Sequence, residues 1–542
     1  MSCFDAFYLL PFTYFVLLYH MINKWQEELK KLLNCDLAQM YPVARKLNRK
    51  LHFFVGPTNS GKTYEAMTHL KKADCGTYLA PLRLLALEGY EDLKKSGVRA
   101  SLITGEEELF DEDGTHISST IEMISYELVV DVCVIDEVQM LEDEDRGWAW
   151  VNAILGAPAY NVYMTGSVNA LEAVKKIASY LGEELIVKKF TRKNELIMHS
   201  TATPLKKLEP QTALIAFSRN DVLSLKNHLS KKYSVSVIYG NLSPEVRREE
   251  ARKFRESETQ ILIATDAIAM GLNLPIKTIL FTTAQKFDGK ERRGITTNEI
   301  VQIAGRAGRY GHHEYGFIGA TDKKTLEHIT HMMNEPIKTI KPPFRVKATT
   351  SQIESLSAHI KTKNLFEITN FYAKHMKFSG PFVATNISSM LDNTKIIESV
   401  ASNLPLETKY ILAQAPMSSK SPLVKSAYML FIDSIKKQKS IEYKSTITLS
   451  KSAKDEDELL RAEDEIRKIS LYLWLSYKFP NIFTDTQKAT NYRILINKFI
   501  ENSLSLGIKR KKEFKEQKHF PKESPKKRTP PKRSPKRAKR TF

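Results

Sequence analysis

The sequence predicts an α/β protein: two tandem parallel-sheet domains, then an α-helical region, then a disordered basic tail. Three observations carry that expectation. Short apolar, β-rich runs (LHFFV, TYLAP, VCVID, NVYMT) alternate with charged helix-like segments from about Leu51 to Thr191, and a second series (ALIAF, VSVIY, ILIAT, TILFT) follows from Ala213. Parallel strands need helical crossovers and are buried on both faces, so they read as continuous apolar runs. Past the KPP at 341–343 the strand signal fades, and apolar residues at Leu459, Ala462, Ile466, Ile469 and Leu473 make one core-facing helical stripe. Residues 509–542 carry sixteen Lys and Arg against three Glu, a net +13 out of +20 for the whole chain. With Pro every few residues and no apolar pattern, that tail buries too little surface to offset its ordering entropy.

At about 150 residues per domain, a chain of 542 has room for three or four folding units. The expected division is an N-terminal segment at 1–50, a first α/β domain at 51–192, a second at 193–340, a helical region at 341–508 and the tail at 509–542. Composition is that of a globular protein, with 42% hydrophobic and 27% charged residues, which excludes a fibrous, wholly disordered or polytopic membrane chain. The stretch from Phe4 to Ile22 is apolar, but Asp5, Pro11 and His20 interrupt it. It is expected to pack on the body or to precede a translation start at Met21, rather than to cross a membrane. Cys3, Cys35, Cys75 and Cys133 lack the paired spacing of a zinc site or a disulfide framework, which suits a reducing compartment.

Two constellations carry chemistry. GPTNSGKT (Gly56, Pro57, Thr58, Asn59, Ser60, Gly61, Lys62, Thr63) directly follows the first strand-like run and fits G-x-x-x-x-G-K-T. Its backbone N–H groups wrap phosphates, Lys62 supplies a cation, and the Thr63 hydroxyl is placed for Mg²⁺. DEVQ (Asp136, Glu137, Val138, Gln139) ends another strand-like run, where Asp136 is expected to hold Mg²⁺ and Glu137 to orient the attacking water. In the second domain QIAGRAGR places Gln302, Arg306 and Arg309, with the two arginines expected on one helical face, turned to the nucleotide across a cleft. Each motif taken singly has a plainer reading, an exposed carboxylate pair or a solvated basic helix end. Their order along one chain favours the chemical one.

GPTNSGKT, DEVQ and QIAGRAGR in this order resemble superfamily 2 helicases, which have two RecA-like domains. APLR (80–83), TGE (104–106), STIEM (119–123), TGS (165–167), FSR (217–219) and ATDAIAMGLN (264–273) look like further motifs of that group. YGNLSPEVRR (239–248), LPLETKYILAQAP (404–416) and LYLWLSYKFPNIF (471–483) narrow the resemblance to the Suppressor-of-Var RNA helicase family of the mitochondrial degradosome and its alphaproteobacterial relatives. The resemblance spans about 51–506. The TGS stands where that family's usual pattern has Cys-Gly-Glu, and Ala269 where Gly is commoner; the Ser167 hydroxyl is expected to bond near Asp136 instead.

The resemblance implies ATP and Mg²⁺ as cofactors, Gly271 at the nucleotide, and Arg83, Thr120, Arg219 and Thr265 on nucleic-acid phosphates. It implies ATP-dependent 3′ to 5′ unwinding of RNA, with DNA as the alternative substrate, and cooperation with a 3′ exoribonuclease. A DNA helicase, a translocase that does not unwind, and an inactive ATP-bound scaffold are the rival functions. The bacterial cytosol is the expected compartment and the mitochondrial matrix the alternative.

Overall fold

The computed structural model describes residues 12–269, 274–288, 291–308, 313–385, 388–417 and 421–506. The basic tail, the first eleven residues, Gly271 and Arg309 lie outside them. The chain forms two RecA-like parallel-sheet lobes and a helical C-terminal region. The first sheet has eight strands which, read across by first residue, lie in the order Glu108, Ala100, His116, Gly76, Val130, Ala159, Lys50, Leu185. All pairings are parallel except that of the short strand Glu108–Leu109. The second sheet has six parallel strands, in the order Glu195, Tyr315, Thr278, Thr212, Ile261, Val235.

Alternate residues of one strand feed different cores, which explains the unbroken apolar runs. Phe53, Val55, Cys133 and Ile135 pack with Trp150, Ile154 and Ile177 on one face of the first sheet. Phe54, Val132 and Val134 pack with Ala66, Leu70 and Leu93 on the other. In the second lobe Ala213, Ile215, Ile279 and Phe281 enter one core. Leu214, Ile263 and Leu280 enter another that is continuous with Leu459, Ile469, Tyr472 and Phe483 of the helical region. That region therefore shares a core with the second lobe.

It also reaches the first lobe, through strands where the sequence predicts none. Phe344–Val346 pairs in parallel with Phe382–Ala384, and Phe344, Val346 and Phe382 join the core around Trp150. Lys377–Phe378 pairs with Asn34–Cys35 and ties the N-terminal segment down. Strands of two or three residues hold too few positions to show a period of two, so they leave no mark in the sequence. The helix Phe12–Leu33 meets the helical region, where Trp25 Nε1 donates to the His359 carbonyl at 3.3 Å. Among the described residues no helix is long and apolar enough to cross a membrane.

Candidate nucleotide site and nucleic-acid groove

The strand Lys50–Val55 ends in the GPTNSGKT loop, and the helix Lys62–Lys72 begins where the loop closes. Gly61 has φ +90°, a left-handed backbone that favours glycine. At Gly56 a Cβ would stand 2.5 Å from the Phe190 carbonyl oxygen, so the loop's start also excludes a side chain. Lys62 is buried, and its Nζ donates to the Pro57 carbonyl at 3.3 Å. Thr63 Oγ1 donates to Asp136 Oδ1 at 3.0 Å.

Asp136 and Glu137 follow the strand Val130–Ile135. Between that strand and Lys50–Val55 runs Ala159–Gly166, which delivers Thr165 to the carboxylate. Asp136 is buried and accepts from Thr63, from Tyr78 OH at 3.0 Å, and from Thr165 Oγ1. Burial raises its carboxyl above the usual carboxylate range and the Glu137 charge adds to the rise, while the Thr165 hydroxyl, Lys62 and Tyr78 oppose it. Glu137 sits at φ +55°, its N–H donates to Thr165 Oγ1 at 3.3 Å, and Gln139 Nε2 donates to its carboxylate. The hydroxyl beside Asp136 is thus Thr165, not Ser167, which bonds Asn169 and Gln139. The sequence cannot settle this, because which residue of TGS faces the neighbouring strand depends on register.

The helix carrying Gln302 ends at Ala304, so Arg306 lies in the turn beyond it and not on a helical face. Its Nε donates to the Ala269 carbonyl at 3.0 Å, and Nη2 stands 3.9 Å from Glu137 Oε1. Burial lowers the Arg306 pKa, opposed by Glu137 and Asp136. A cavity of about 660 Å³ is bounded by Thr58 to Thr63, Asp136 and Glu137 from the first lobe and Arg248, Arg255 and Arg306 from the second. Gln302 is half-buried and does not line it. Arg309 and Gly271, placed at the nucleotide by the sequence reading, lie outside the described residues.

The donor set suits Mg²⁺. A hydroxyl and a carboxylate meet at 3.0 Å, and no cluster of three metal-ligating side chains occurs among the described residues. That ion takes few protein ligands and fills its shell with water and phosphate oxygens.

A second hollow, of about 690 Å³, runs between both lobes and the helical region. Arg83 and Thr120 line it, Arg83 paired with Glu106. Thr265 is buried and does not line it; its Oγ1 accepts at 3.3 Å from the N–H of Ala267, which does. Arg219 departs from expectation. Its Nε donates to both carboxylate oxygens of Glu463, at 2.9 and 3.1 Å, and the pair is walled in by Tyr239, so this arginine does not line the groove.

The helix Glu456–Lys478, expected to be core only, does bury its apolar stripe, yet Arg467, Ser470 and Trp474 on another face line the groove. Ser470 Oγ donates to Glu106 at 2.9 Å, and Arg493 of the next helix lies 3.6 Å from Glu106 and 3.3 Å from Glu245. Lys347 adds a further cation, 4.4 Å from the Trp148 ring. Arg467, Ser470, Trp474 and Arg493 lie on long helices whose sequence signal is the buried apolar stripe, and that stripe does not say what the opposite face lines.

Comparison with known proteins agrees with this layout. Residues 38–190 match the DEXQ-box helicase domain of Suv3, 192–311 the helicase conserved C-terminal domain, and 459–506 the C-terminal domain of the ATP-dependent RNA helicase SUV3. The mitochondrial ATP-dependent RNA helicase SUV3 of Candida albicans is 33% identical over 86% of this chain and 69% of its own length. The mitochondrial SUPV3L1 helicase of Danio rerio is 32% identical over 89% of this chain, which spans 65% of that relative's length. The mitochondrial DExH16 helicase of Arabidopsis thaliana is 32% identical over 86% of this chain and 82% of its own. With both helicase domains and the last two helices matched, and relatives about a third identical over most of the chain, the chain belongs to the SUV3 family of ATP-dependent RNA helicases.

Proposed function

We propose that this chain hydrolyses ATP between its lobes and uses the cycle to draw one strand of an RNA duplex through the groove with 3′ to 5′ polarity. The observation that carries the reading is Arg306, a second-lobe cation standing at the same cavity as Lys62, Asp136 and Glu137 of the first. Lys62 and the loop N–H groups hold the phosphates, and Glu137 orients the attacking water. Arg306 neutralises charge on the transferring phosphoryl group, a role worth about 10³ to 10⁵ in rate where an arginine is supplied. Thr63 and Asp136 would hold Mg²⁺, which neutralises phosphate charge when bound. The Thr165 bond to Asp136 and the Gln139 bond to the Glu137 carboxylate keep both carboxylates aimed.

Because both lobes and the helical region line the groove, opening and closing of the cleft moves its walls. Arg83 and Thr120 are the assigned phosphate contacts, which carry no base information, so unwinding is sequence-independent. Arg219 supports that wall from behind. The basic tail is assigned to RNA tethering, and the compartment to the mitochondrial matrix rather than the bacterial cytosol, because the relatives reported above are named as mitochondrial. A 3′ exoribonuclease is the proposed partner, since it degrades a strand in the same 3′ to 5′ direction in which the helicase clears that strand of duplex.

The test is ATP-dependent separation of RNA and DNA duplexes bearing a 3′ or a 5′ overhang. Separation of only the 3′-tailed RNA duplex is expected. Equal action on DNA would favour the DNA-helicase alternative, and binding of ATP and RNA without turnover would identify a scaffold.

A further inference from the structure

The hinge between the lobes contains an arginine whose bonds among the described residues all go to main-chain carbonyls. Arg192 lies between the last strand of the first sheet, Leu185–Lys189, and the first strand of the second, Glu195–Met198. Its Nη1 donates to the Thr58 carbonyl of the phosphate loop at 3.1 Å and to the Gly305 carbonyl at 2.8 Å. Nη2 donates to the Ala307 carbonyl, and Nε to its own segment at Asn194, 2.8 Å. Gly305 and Ala307 are the two neighbours of Arg306.

One guanidinium therefore joins the hinge, the phosphate loop of one lobe and both flanks of the arginine offered by the other. The approach there is close. A Cβ on Gly305 would stand 2.9 Å from Thr58 Cβ, and Asn59 Nδ2 lies 3.4 Å from the Gly305 carbonyl. Asn194 repeats the stitch two residues on, donating to the Gly308 carbonyl at 3.1 Å.

We propose that Arg192 is a positioning residue for ATP hydrolysis: it pins the phosphate loop to the turn bearing Arg306, so that Arg306 meets the γ-phosphate in register. The inference rests on the reading that ATP is hydrolysed across the cleft. Its chemistry is specific to arginine. The planar fork presents five N–H donors in fixed directions and reaches carbonyls on separate segments at once, whereas a lysine ammonium is a single point. Burial pushes the Arg192 guanidinium down to about 10, which leaves it charged at neutral pH.

The experiment compares Arg192→Gln and Arg192→Lys with wild type in the full chain. It reads RNA-stimulated kcat and KM, affinity for a fluorescent non-hydrolysable ATP analogue, and single-molecule energy transfer between dyes on the two lobes. A reacting group displaced by about 1 Å costs on the order of 10²-fold, so Arg192→Gln is expected to lose about that factor in kcat while analogue affinity stays within about threefold. Arg192→Lys is expected to restore less than about a tenth of the lost rate, and both variants to broaden the interlobe distance distribution. The assignment is overturned if Arg192→Gln keeps wild-type kcat, if kcat and analogue affinity fall together with the distance unchanged, or if lysine restores full rate. Should the Gln variant lack native circular dichroism, the Lys variant carries the same comparison alone. A wild-type chain that fails to hydrolyse ATP would refute the underlying reading instead, and the interlobe distances of nucleotide-free wild type and variants would then decide the stitch by themselves, an unchanged distribution overturning it.

Discussion

Replacing Glu463 with Ala removes a fully buried carboxylate between the second lobe and the helical region. Arg219 Nε reaches both its oxygens, Tyr239 OH donates at 2.7 Å and Asn241 Nδ2 at 3.3 Å. The Arg219 side chain is only 14% exposed, and its Nη2 is already buried without a partner, so little water replaces the lost acceptor. Removing one member of a buried ion pair costs about 3–5 kcal/mol, and stranding the Tyr239 hydroxyl adds about 1 kcal/mol. Taking roughly 5 kcal/mol overall, at about 2–4 °C per kcal/mol for a unit of this size, the variant should melt about 10–20 °C lower.

Differential scanning calorimetry is the assay, with the first lobe's transition as internal reference, because a chain of several domains does not unfold in one step. Glu463→Gln, which keeps the shape and one acceptor, should lose about 1–3 kcal/mol. The double substitution Arg219→Met with Glu463→Leu should be milder than Glu463→Ala, since it leaves no buried charge alone. A shift below about 2 °C for Glu463→Ala, with RNA affinity reduced instead, would refute the reasoning and return Arg219 to the phosphate-contact role the sequence suggests.

Three further outcomes are expected. Glu137→Gln should keep ATP and RNA binding while turnover falls about 10²–10⁴-fold, whereas Lys62→Ala should weaken nucleotide binding itself; equilibrium binding beside steady-state hydrolysis separates the two. Burial pushes the Lys347 ammonium down to about 8, opposed by Glu122. Below that pH the side chain is charged and attracts RNA, and above it the charge is lost, so RNA affinity should fall as pH rises from 7 to 9 and flatten in Lys347→Met; the same dependence in that variant would exclude Lys347. The unfolded chain keeps that proton up to its usual lysine range, so this group makes folding more favourable as pH rises beyond about 8. Truncation after Ile508 should weaken RNA binding at low salt and flatten its salt dependence, measured by fluorescence anisotropy across a salt series.

The two-lobed α/β architecture and the phosphate loop were legible in the chain alone, because both rest on local chemistry. Unbroken apolar runs mark strands covered on both faces, and the loop's glycines, Lys62 and Thr63 act within one turn of chain. Asp136 and Glu137 were legible for the same reason, at the end of a strand whose neighbours are strands. Tertiary structure alone decided what lies across from these residues. Thr165 reaches Asp136 only because its strand runs between the two that end in the motifs, a fact of sheet order that no window of sequence contains. Arg306 is aimed by the Ala269 carbonyl and by a hinge arginine more than a hundred residues earlier. Arg219 is turned from the groove by a carboxylate 244 residues later in the chain. A cation's role follows from which anion or carbonyl the fold brings within about 3 Å, and partners distant in sequence leave no periodic trace of that meeting.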